Sequence, residues 1–393
     1  MKITKLSLVA IAAMTLTTGA MADVDFKIGG QTVIYYQTAE NGGNTGLFEK
    51  GNSAANVGIQ LNANADLGNG FGLGLQGTSL GTLGLEKNVV SDVMQHASSD
   101  LNGAAITKAY LTKQLGNTTL KAGRQELPKS LSPLAFSEGW NVFKNTFDAV
   151  VAINSDLPKT TLVGAYVANS NQHGNLGTFG NLTAHAGGAR PDSGAYMLTA
   201  QNKSLDNVAV TGSYYSIIKS NTSAAPHVDA LWLDVKAAQV GPVAVALQAG
   251  QLSPDVSTLK DTNVYGAKVS GKASNVNLSL AYSSVNDGTL EVKNVGTGVK
   301  TPLYTQMVAN QDHISTDADT FVLGASMPLA AGTLIAKYDI TKDNAASNSD
   351  YNELDVIYKF KALGTDVLAA YVRADHDGAN TANIIRLWSR YNF

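Results

Sequence analysis

Apolar and polar residues alternate with a period of two along most of the chain, which is the pattern of β-strands and not of helices. No stretch after residue 22 contains 18 consecutive apolar residues, which argues against membrane helices. The alternation predicts strands over 24–39, 55–67, 71–80, 104–115, 118–124, 146–157, 160–169, 194–204, 208–219, 229–239, 242–252, 263–273, 276–285, 319–328, 333–342, 351–361, 365–375 and 381–393.

The connections between these strands alternate between short turns and longer polar loops. Gly116-Asn117 and Val240-Gly241 are examples of the short turns, and glycine or asparagine at such positions favours hairpins. The longer loops are expected near 40–54, 81–103, 125–145, 170–193, 220–228, 253–262, 286–318, 343–350 and 376–380. Short periplasmic turns and long external loops are typical of outer-membrane barrels.

Together these features predict an all-β fold, an antiparallel transmembrane β-barrel of about 18 strands. An even strand number, as counted here, is what bacterial single-chain barrels have. Both ends of the barrel segment then fall on the periplasmic side. Residues 23–25 leave no room for a plug ahead of the first strand, which disfavours a transporter gated from the inner membrane.

The N-terminus predicts export. Lys2 and Lys5 precede an apolar run, and Ala20-Met21-Ala22 provides a small-residue cleavage site before Asp23. The apolar run is shorter than the ~20 residues that a membrane anchor needs. We therefore expect residues 1–22 to be a cleaved signal peptide and residues 23–393 to form one outer-membrane barrel.

Composition narrows the possible functions further. Cleavage of the predicted signal peptide would remove Lys2 and Lys5, so that 26 of the 28 basic residues remain against 31 acidic residues. The remaining chain would then have a net charge of −5. A mildly acidic chain without a basic block is not expected to bind nucleic acid. It contains no cysteine, so an exported protein of this length depends on strand pairing and packing for stability. No cofactor or metal is predicted.

The last strand carries a candidate assembly signal. Counting back from Phe393 by twos gives Tyr391, Ser389 and Leu387, a mostly apolar face that ends in an aromatic residue. An aromatic C-terminal residue on an amphipathic strand resembles the signal that barrel-insertion machinery reads. Tyr391 and Phe393 are therefore the predicted assembly residues, with that machinery and outer-membrane lipid and lipopolysaccharide as partners.

Charged residues at polar strand positions are predicted to line the pore, because a charge at the lipid-facing midplane costs about 2–4 kcal/mol. On strand 365–375, Leu368, Ala370 and Val372 are expected to face lipid. One interpretation is a basic ladder that guides anions, and the other is a lumen of mixed sign held by salt bridges. The predicted pore-lining residues are Lys108, Lys121, Lys337, Lys359, Arg373, Arg386, Arg390, Asp148, Asp234, Asp339 and Asp355.

Residues 125–145 are the best candidate for a constriction. A loop this long inside a compact barrel is usually functional. Its predicted charged residues are Glu126, Lys129, Glu138 and Lys144, and it also contains Phe136 and Trp140. The alternative is a loop that lies over the external mouth.

Two patches resemble a known family. Residues 122–128 (AGRQELP) and 145–149 (NTFDA) resemble the third-loop region of OprD-type porins, and still more that of epsilonproteobacterial major outer membrane porins. The resemblance implies an 18-stranded barrel, often a homotrimer, with loop three folded inward. Such families pass small hydrophilic solutes, and OprD-type members often prefer carboxylates. Some relatives bind calcium, but no dense carboxylate loop matches such a site here.

We therefore expect an outer-membrane porin for passive diffusion of small hydrophilic solutes and ions, with a mild preference for anions or carboxylates. A barrel enzyme (a lipase or a protease) and an adhesin-type structural barrel are the alternatives. The motif Gly72 to Gly77 fits G-x-G-x-x-G, but it lies within a strand and lacks the following helix that a dinucleotide site needs.

Overall fold

The computed structural model describes residues 24–40, 46–182, 194–217, 227–345, 349–379 and 381–393. The predicted signal peptide, residues 1–22, lies outside them. Within these ranges no helix is long and apolar enough to cross a membrane.

The described residues form one antiparallel sheet of 19 strands. Their bounds are β1 (Phe26–Glu40), β2 (Ser53–Gly68), β3 (Phe71–Gly81), β4 (Gly103–Leu115), β5 (Thr118–Gln125), β6 (Phe147–Asn154), β7 (Thr160–Gln172), β8 (Asn175–Asn181), β9 (Ala195–Asn202), β10 (Val208–Ile217), β11 (Val228–Val240), β12 (Val243–Pro254), β13 (Thr262–Ala273), β14 (Val276–Val285), β15 (Ala318–Leu329), β16 (Gly332–Asp343), β17 (Tyr351–Ala362), β18 (Thr365–His376) and β19 (Ala382–Asn392).

The sheet closes into a barrel because β1 pairs with both β2 and β19. Strand β7 pairs with β6 and β9, so β8 stands outside the ring and pairs with the end of β7, with one further backbone bridge to His96. Of the 19 strands, 18 therefore form the closed wall. The predicted 18-stranded antiparallel barrel is confirmed. Closure removes the exposed edges that a flat sheet would leave.

Strand β8 was not predicted. Its sequence, Asn175-Leu176-Gly177-Thr178-Phe179-Gly180-Asn181, is rich in glycine and asparagine, which are depleted in strands. It forms because β7 continues beyond the barrel wall and turns back on itself. The backbone pairing of four β7 residues then outweighs the weak local preference.

The short turns use residues that tolerate a left-handed backbone. Gly116 has φ +58° in the β4–β5 turn, and Gly241 has φ +61° in the β11–β12 turn. A side chain at these φ values is strained, which explains glycine at both sites. These turns set the hairpin register and leave all the long connections at the opposite end of the barrel.

The main apolar core lies inside the barrel, between the wall and two segments that fold inward. One segment is loop 126–146, between β5 and β6, and the other is loop 286–317, between β14 and β15. The largest buried cluster joins Val151 and Trp232 of the wall to Leu134 of the first loop, and it also includes Leu303 of the second. Burying these side chains supports both loops from within.

The two inward loops are joined to each other. Asn294 donates from Nδ2 to the carbonyl oxygen of Phe136 at 2.7 Å, and its Oδ1 accepts from the Phe136 amide at 3.2 Å. The amide of Val295 donates to the carbonyl of Leu134 at 2.8 Å. The loops therefore form one connected layer across the lumen. The loop after β14, expected over 286–318 as one of the long external connections, thus folds into the barrel, where its apolar residues are buried.

The sidedness of the barrel can be tested with two matched leucines. Leu83 is 79% exposed in the long connection after β3, and Leu363 is fully exposed in the short β17–β18 turn. Both have positive φ, so cysteine introduces similar strain at each. We expect an impermeant thiol reagent to label Leu83→Cys on intact cells, and Leu363→Cys only after permeabilisation. The opposite pattern would invert the assigned topology.

Candidate pore constriction

The lumen face of each strand is identified by side chains that contact the two inward loops. On β19 this face carries Arg386 and Arg390, and on β17 it carries Ile357. By this criterion nine of the eleven predicted pore-lining residues face the lumen. They are Lys108, Lys121, Lys337, Lys359, Arg386, Arg390, Asp234, Asp339 and Asp355.

Arg386 and Arg390 are held by neutral oxygen atoms. Arg386 donates from Nε and Nη2 to Oε1 of Gln37, at 2.8 and 2.6 Å, and from Nη1 to the Trp140 carbonyl at 3.2 Å. Arg390 donates to Oε1 of Gln31 and, at 2.8 Å, to the Val142 carbonyl. Among the described residues, neither guanidinium has a carboxylate within ion-pair distance. Both positive charges are therefore left uncompensated by direct contact.

The neighbouring wall is of mixed sign. Lys337 of β16 lies directly opposite Asp355 of β17 in the strand register. Asp339 accepts hydrogen bonds from Asn310 and Thr341, and Asp355 is only 1% exposed. Glu353 of the same strand accepts from the amides of loop 286–317. This arrangement gives a stretch of wall rich in carboxyl groups, separated from the arginines of β19 by β18.

Glu126 connects the constriction loop to the wall at the end of β5. Its carboxylate lies 2.5 Å from Nζ of Lys108 and 3.2 Å from Nζ of Lys144. Burial alone would raise the pKa of Glu126, but the two ammonium groups hold it below its usual value. The carboxylate therefore stays charged at neutral pH, and the pairs fix the start and end of the loop together.

Glu138 and Lys129 connect the loop to other segments. Glu138 is buried, pairs with Nδ1 of His173 and accepts from the Trp140 amide at 2.9 Å. Lys129 donates to the carbonyl of Thr301 at 3.0 Å. Each charged side chain of the loop thus has a partner outside its own turn. These contacts support a loop of defined position inside the barrel.

The remaining lumen charges are distributed over several other strands. Lys121 stands 3.8 Å from the ring centroid of Tyr110. Asp234 accepts from the hydroxyl of Tyr304 at 2.8 Å and lies 2.9 Å from Nζ of Lys236. Lys359 is exposed on the lumen side of β17. The charges are therefore spread around the wall and do not form a single column.

The prediction for Arg373 was wrong. Ala370 lies opposite Arg386 in the register, and with Leu368 it contacts Trp140 of the constriction loop. The apolar face of β18 is therefore the lumen face, and Arg373 points outward. It lies near the end of the strand and pairs with Asp375 at 3.0 Å. A charge near the membrane interface costs only about 0–1 kcal/mol, which makes this position acceptable.

The prediction for Asp148 was also wrong. Its neighbours Phe147 and Ala149 are buried in the lumenal core, so Asp148 lies on the outer face of β6. There it accepts from Nε of Arg124 at 2.9 Å. The guanidinium of Arg124 also stacks on the Phe179 ring of β8, at 3.3 Å. In both β6 and β18 an inward loop makes the lumen face apolar, which reverses the pattern expected for a water-filled barrel.

Sequence reasoning missed several residues of this site. Gln31 and Gln37, for example, hold the two arginines. Neutral glutamines on a strand carry no distinct sequence signal. Loop 286–317 could have been suspected, because it is the longest connection in the chain and long loops are often functional. Within the described ranges, no three acidic or histidine side chains are placed to hold a metal ion.

The model of the Gram-negative porin family matches residues 8–393. A comparison with curated proteins finds no match. The chain is similar in structure to Pseudomonas aeruginosa OccK8 (OprE), with a TM-score of 0.77, 15% identity and coverage of 94% of this chain and 98% of that chain. For Pseudomonas aeruginosa OccK1 (OpdK), the TM-score is 0.78 at 12% identity, with coverage of 94% of this chain and 98% of that chain. For Acinetobacter baumannii OccAB4, the TM-score is 0.77 at 11% identity, with the same two coverages of 94% and 98%.

Proposed function

Because the chain belongs to the Gram-negative porin family, we propose that it is a diffusion channel with a mild preference for anions or carboxylates. Family membership makes it an outer-membrane channel for small hydrophilic solutes, and neither an enzyme nor an adhesin. The preference rests on one observation. Arg386 and Arg390 face the lumen and are held by amide and carbonyl oxygens, not by carboxylates.

The acidic wall explains why the preference should be mild. Glu353 and Asp355 lie on β17, separated from β19 only by β18. The charge of Glu353, whose carboxylate accepts from the amides of Val308 and Ala309, opposes those of the arginines. One solved structure of OpdK was determined with vanillate, a carboxylate, which is consistent with a carboxylate-passing pore on this fold.

The constriction is assigned to loop 126–146. Its Trp140 and Val142 carbonyls reach the β19 arginines, while its Leu134 packs in the core beside β10. The loop therefore extends across the lumen, and a solute must pass beside it. Ion selectivity in such a pore depends on the lining charges and the narrowest section.

The proposed assembly follows the family resemblance. We expect a homotrimer in outer-membrane lipid and lipopolysaccharide, exported with cleavage after residue 22 and inserted by the barrel-insertion machinery. Mass spectrometry of the purified protein should give a chain beginning at Asp23. Cross-linking of the detergent-extracted, unheated protein should give a band of three chains, and a single chain would contradict the trimer.

Planar-bilayer recording tests the proposed function directly. The purified protein should form steady channels, and the reversal potential in a potassium chloride gradient should be displaced mildly toward that of chloride. The displacement should shrink in 1 M salt, where the Debye length falls to about 3 Å. A reversal potential displaced toward that of potassium in dilute salt would overturn the anion preference. Absence of any conductance would overturn the channel itself.

A further inference from the structure

We propose that Trp140 is the positioning residue that holds the constriction loop against the wall of the pore. Its indole packs on an apolar patch of the lumen wall, defined here as the Trp140 patch and formed by Ile357 of β17 and Leu368 and Ala370 of β18. Ile335 of β16 and Trp388 of β19 also pack against this patch. The inference rests on the proposed role of loop 126–146 as the constriction.

The Trp140 patch is unusual for the lumen of an aqueous channel. Water-facing barrel positions are normally polar, so apolar side chains there need a partner. Leu368 is 1% exposed and Ala370 is 4% exposed, although both point into the lumen. Trp140 is the residue of the constriction loop that contacts them. The indole of Trp140 therefore covers the patch together with Trp388 of β19.

Two cationic side chains lie close to the ring of the indole. The guanidinium of Arg386 lies 4.8 Å from the Trp140 ring centroid, and Nζ of Lys300 lies 6.0 Å from it. Both are within the range of cation–π attraction. Lys300 belongs to loop 286–317, so the contact also connects the two inward loops.

The backbone on either side of Trp140 is fixed to the same wall. Arg386 and Arg390 hydrogen-bond to the Trp140 and Val142 carbonyls. The ring of Phe143 fills the space above Gly58 of β2, where a Cβ would lie 2.7 Å from the ring. Gln95 exchanges two hydrogen bonds with the Phe143 backbone, at 2.8 and 3.0 Å. Residues 140–143 thus dock as a unit, with the indole as its largest apolar contact.

The indole N–H does not contribute to this docking. Among the described residues, Nε1 of Trp140 is buried without a hydrogen-bond partner. The indole is therefore held by packing and by the two cations, and another aromatic ring should replace it. This makes Trp140→Phe a conservative variant that separates packing from hydrogen bonding.

The test is single-channel recording of three variants. Trp140→Ala should raise the conductance by roughly 1.5-fold to twofold and increase open-channel noise, because the loop is released and the narrowest section widens. Ala370→Leu should give similar noise, because the added side chain displaces the indole from the patch. Trp140→Phe should stay close to wild type. Leu387→Ala, on the outer face of β19, is the matched control and should change nothing.

The outcomes separate this inference from the proposed function. Wild-type conductance and noise in both Trp140→Ala and Ala370→Leu would overturn the positioning role. If only Trp140→Ala changes the current, the indole merely fills space, which also overturns it. Should Trp140→Ala fail to assemble, Ala370→Leu decides. Arg386 and Arg390 keep their charges in all these variants, so the dependence of ion selectivity on those arginines tests the proposed function separately.

Discussion

Replacing Arg386 and Arg390 together by glutamine should shift the reversal potential in a salt gradient toward that of the cation. A unit charge about 6 Å from an ion in water contributes about 0.7 kcal/mol, reduced to about 0.3 kcal/mol by screening at physiological salt. The positive charge stabilises an anion and destabilises a cation by this same energy. Removing one charge should therefore change the ratio of anion to cation permeability by about threefold. The current itself should persist.

Salt dependence distinguishes this electrostatic effect from a change in pore shape. The shift should be largest in dilute salt and nearly absent at 1 M, where the Debye length is about 3 Å. Replacing each arginine by lysine should keep the selectivity, because the charge remains. The lysine variants should nevertheless show more open-channel noise, since lysine cannot reproduce the forked hydrogen bonds to Gln37 and the Trp140 carbonyl.

Arg373→Gln is the matched control for this experiment. Arg373 is an exposed arginine on the neighbouring strand, but it points outward and pairs with Asp375. Its loss should leave the reversal potential unchanged. A selectivity change in Arg373→Gln, together with none in the Arg386 and Arg390 variants, would contradict the assignment of the lumen face.

Deleting Phe393 should strongly reduce the amount of assembled barrel. The amide and carbonyl of Phe393 pair with Gly30 at 3.0 and 2.8 Å, which extends the contact between the first and last strands. Its ring lies over Gly30, where an added Cβ would come within 2.8 Å of Phe393 Cζ. The ring also stacks near Tyr391 on the outer face, with centroids 6.1 Å apart. Deletion removes both the pairing and the ring at the closing seam.

A series of variants separates the two contributions. Phe393→Ala keeps the backbone pairing and should assemble to an intermediate extent, whereas Phe393→Tyr should remain close to wild type. Gly30→Val should also reduce assembly, because an added Cβ would collide with the backbone carbonyl oxygen of Gln60 and lie 2.8 Å from the ring of Phe393. Heat-dependent mobility of the membrane fraction on gels measures the folded barrel. Equal folded fractions for the three Phe393 variants and wild type would show that the aromatic terminus is dispensable.

Strand number and strand bounds could be predicted because each strand is a local pattern. Alternation along residues such as 365–375 and a short turn such as Gly116-Asn117 depend only on nearby residues. The extra strand β8 was missed for the same reason. Its residues have low strand preference, and their pairing depends on the extension of β7.

Face assignment was less secure, because alternation shows which residues share a face but not where that face points. On β19 the aromatic terminus resolved the choice correctly, and Arg386 lies inside. On β18 the rule that apolar residues face lipid gave the inverted answer for Arg373. The lumen face of β18 is apolar because Trp140, more than 200 positions away in the chain, packs against it.

The sequence by itself determined the exported barrel, its strand count and the candidate constriction loop, since these follow from periodicity, turn residues and loop length. Only the tertiary structure decided that loop 286–317 also folds inward, and that Gln31 and Gln37 hold the arginines. It also placed Asp148 and Arg373 on the outer face. Each of these placements depends on which distant segment of the chain occupies the lumen. A buried contact between two distant segments produces no periodic pattern in the sequence of either segment, so the sequence could not predict it.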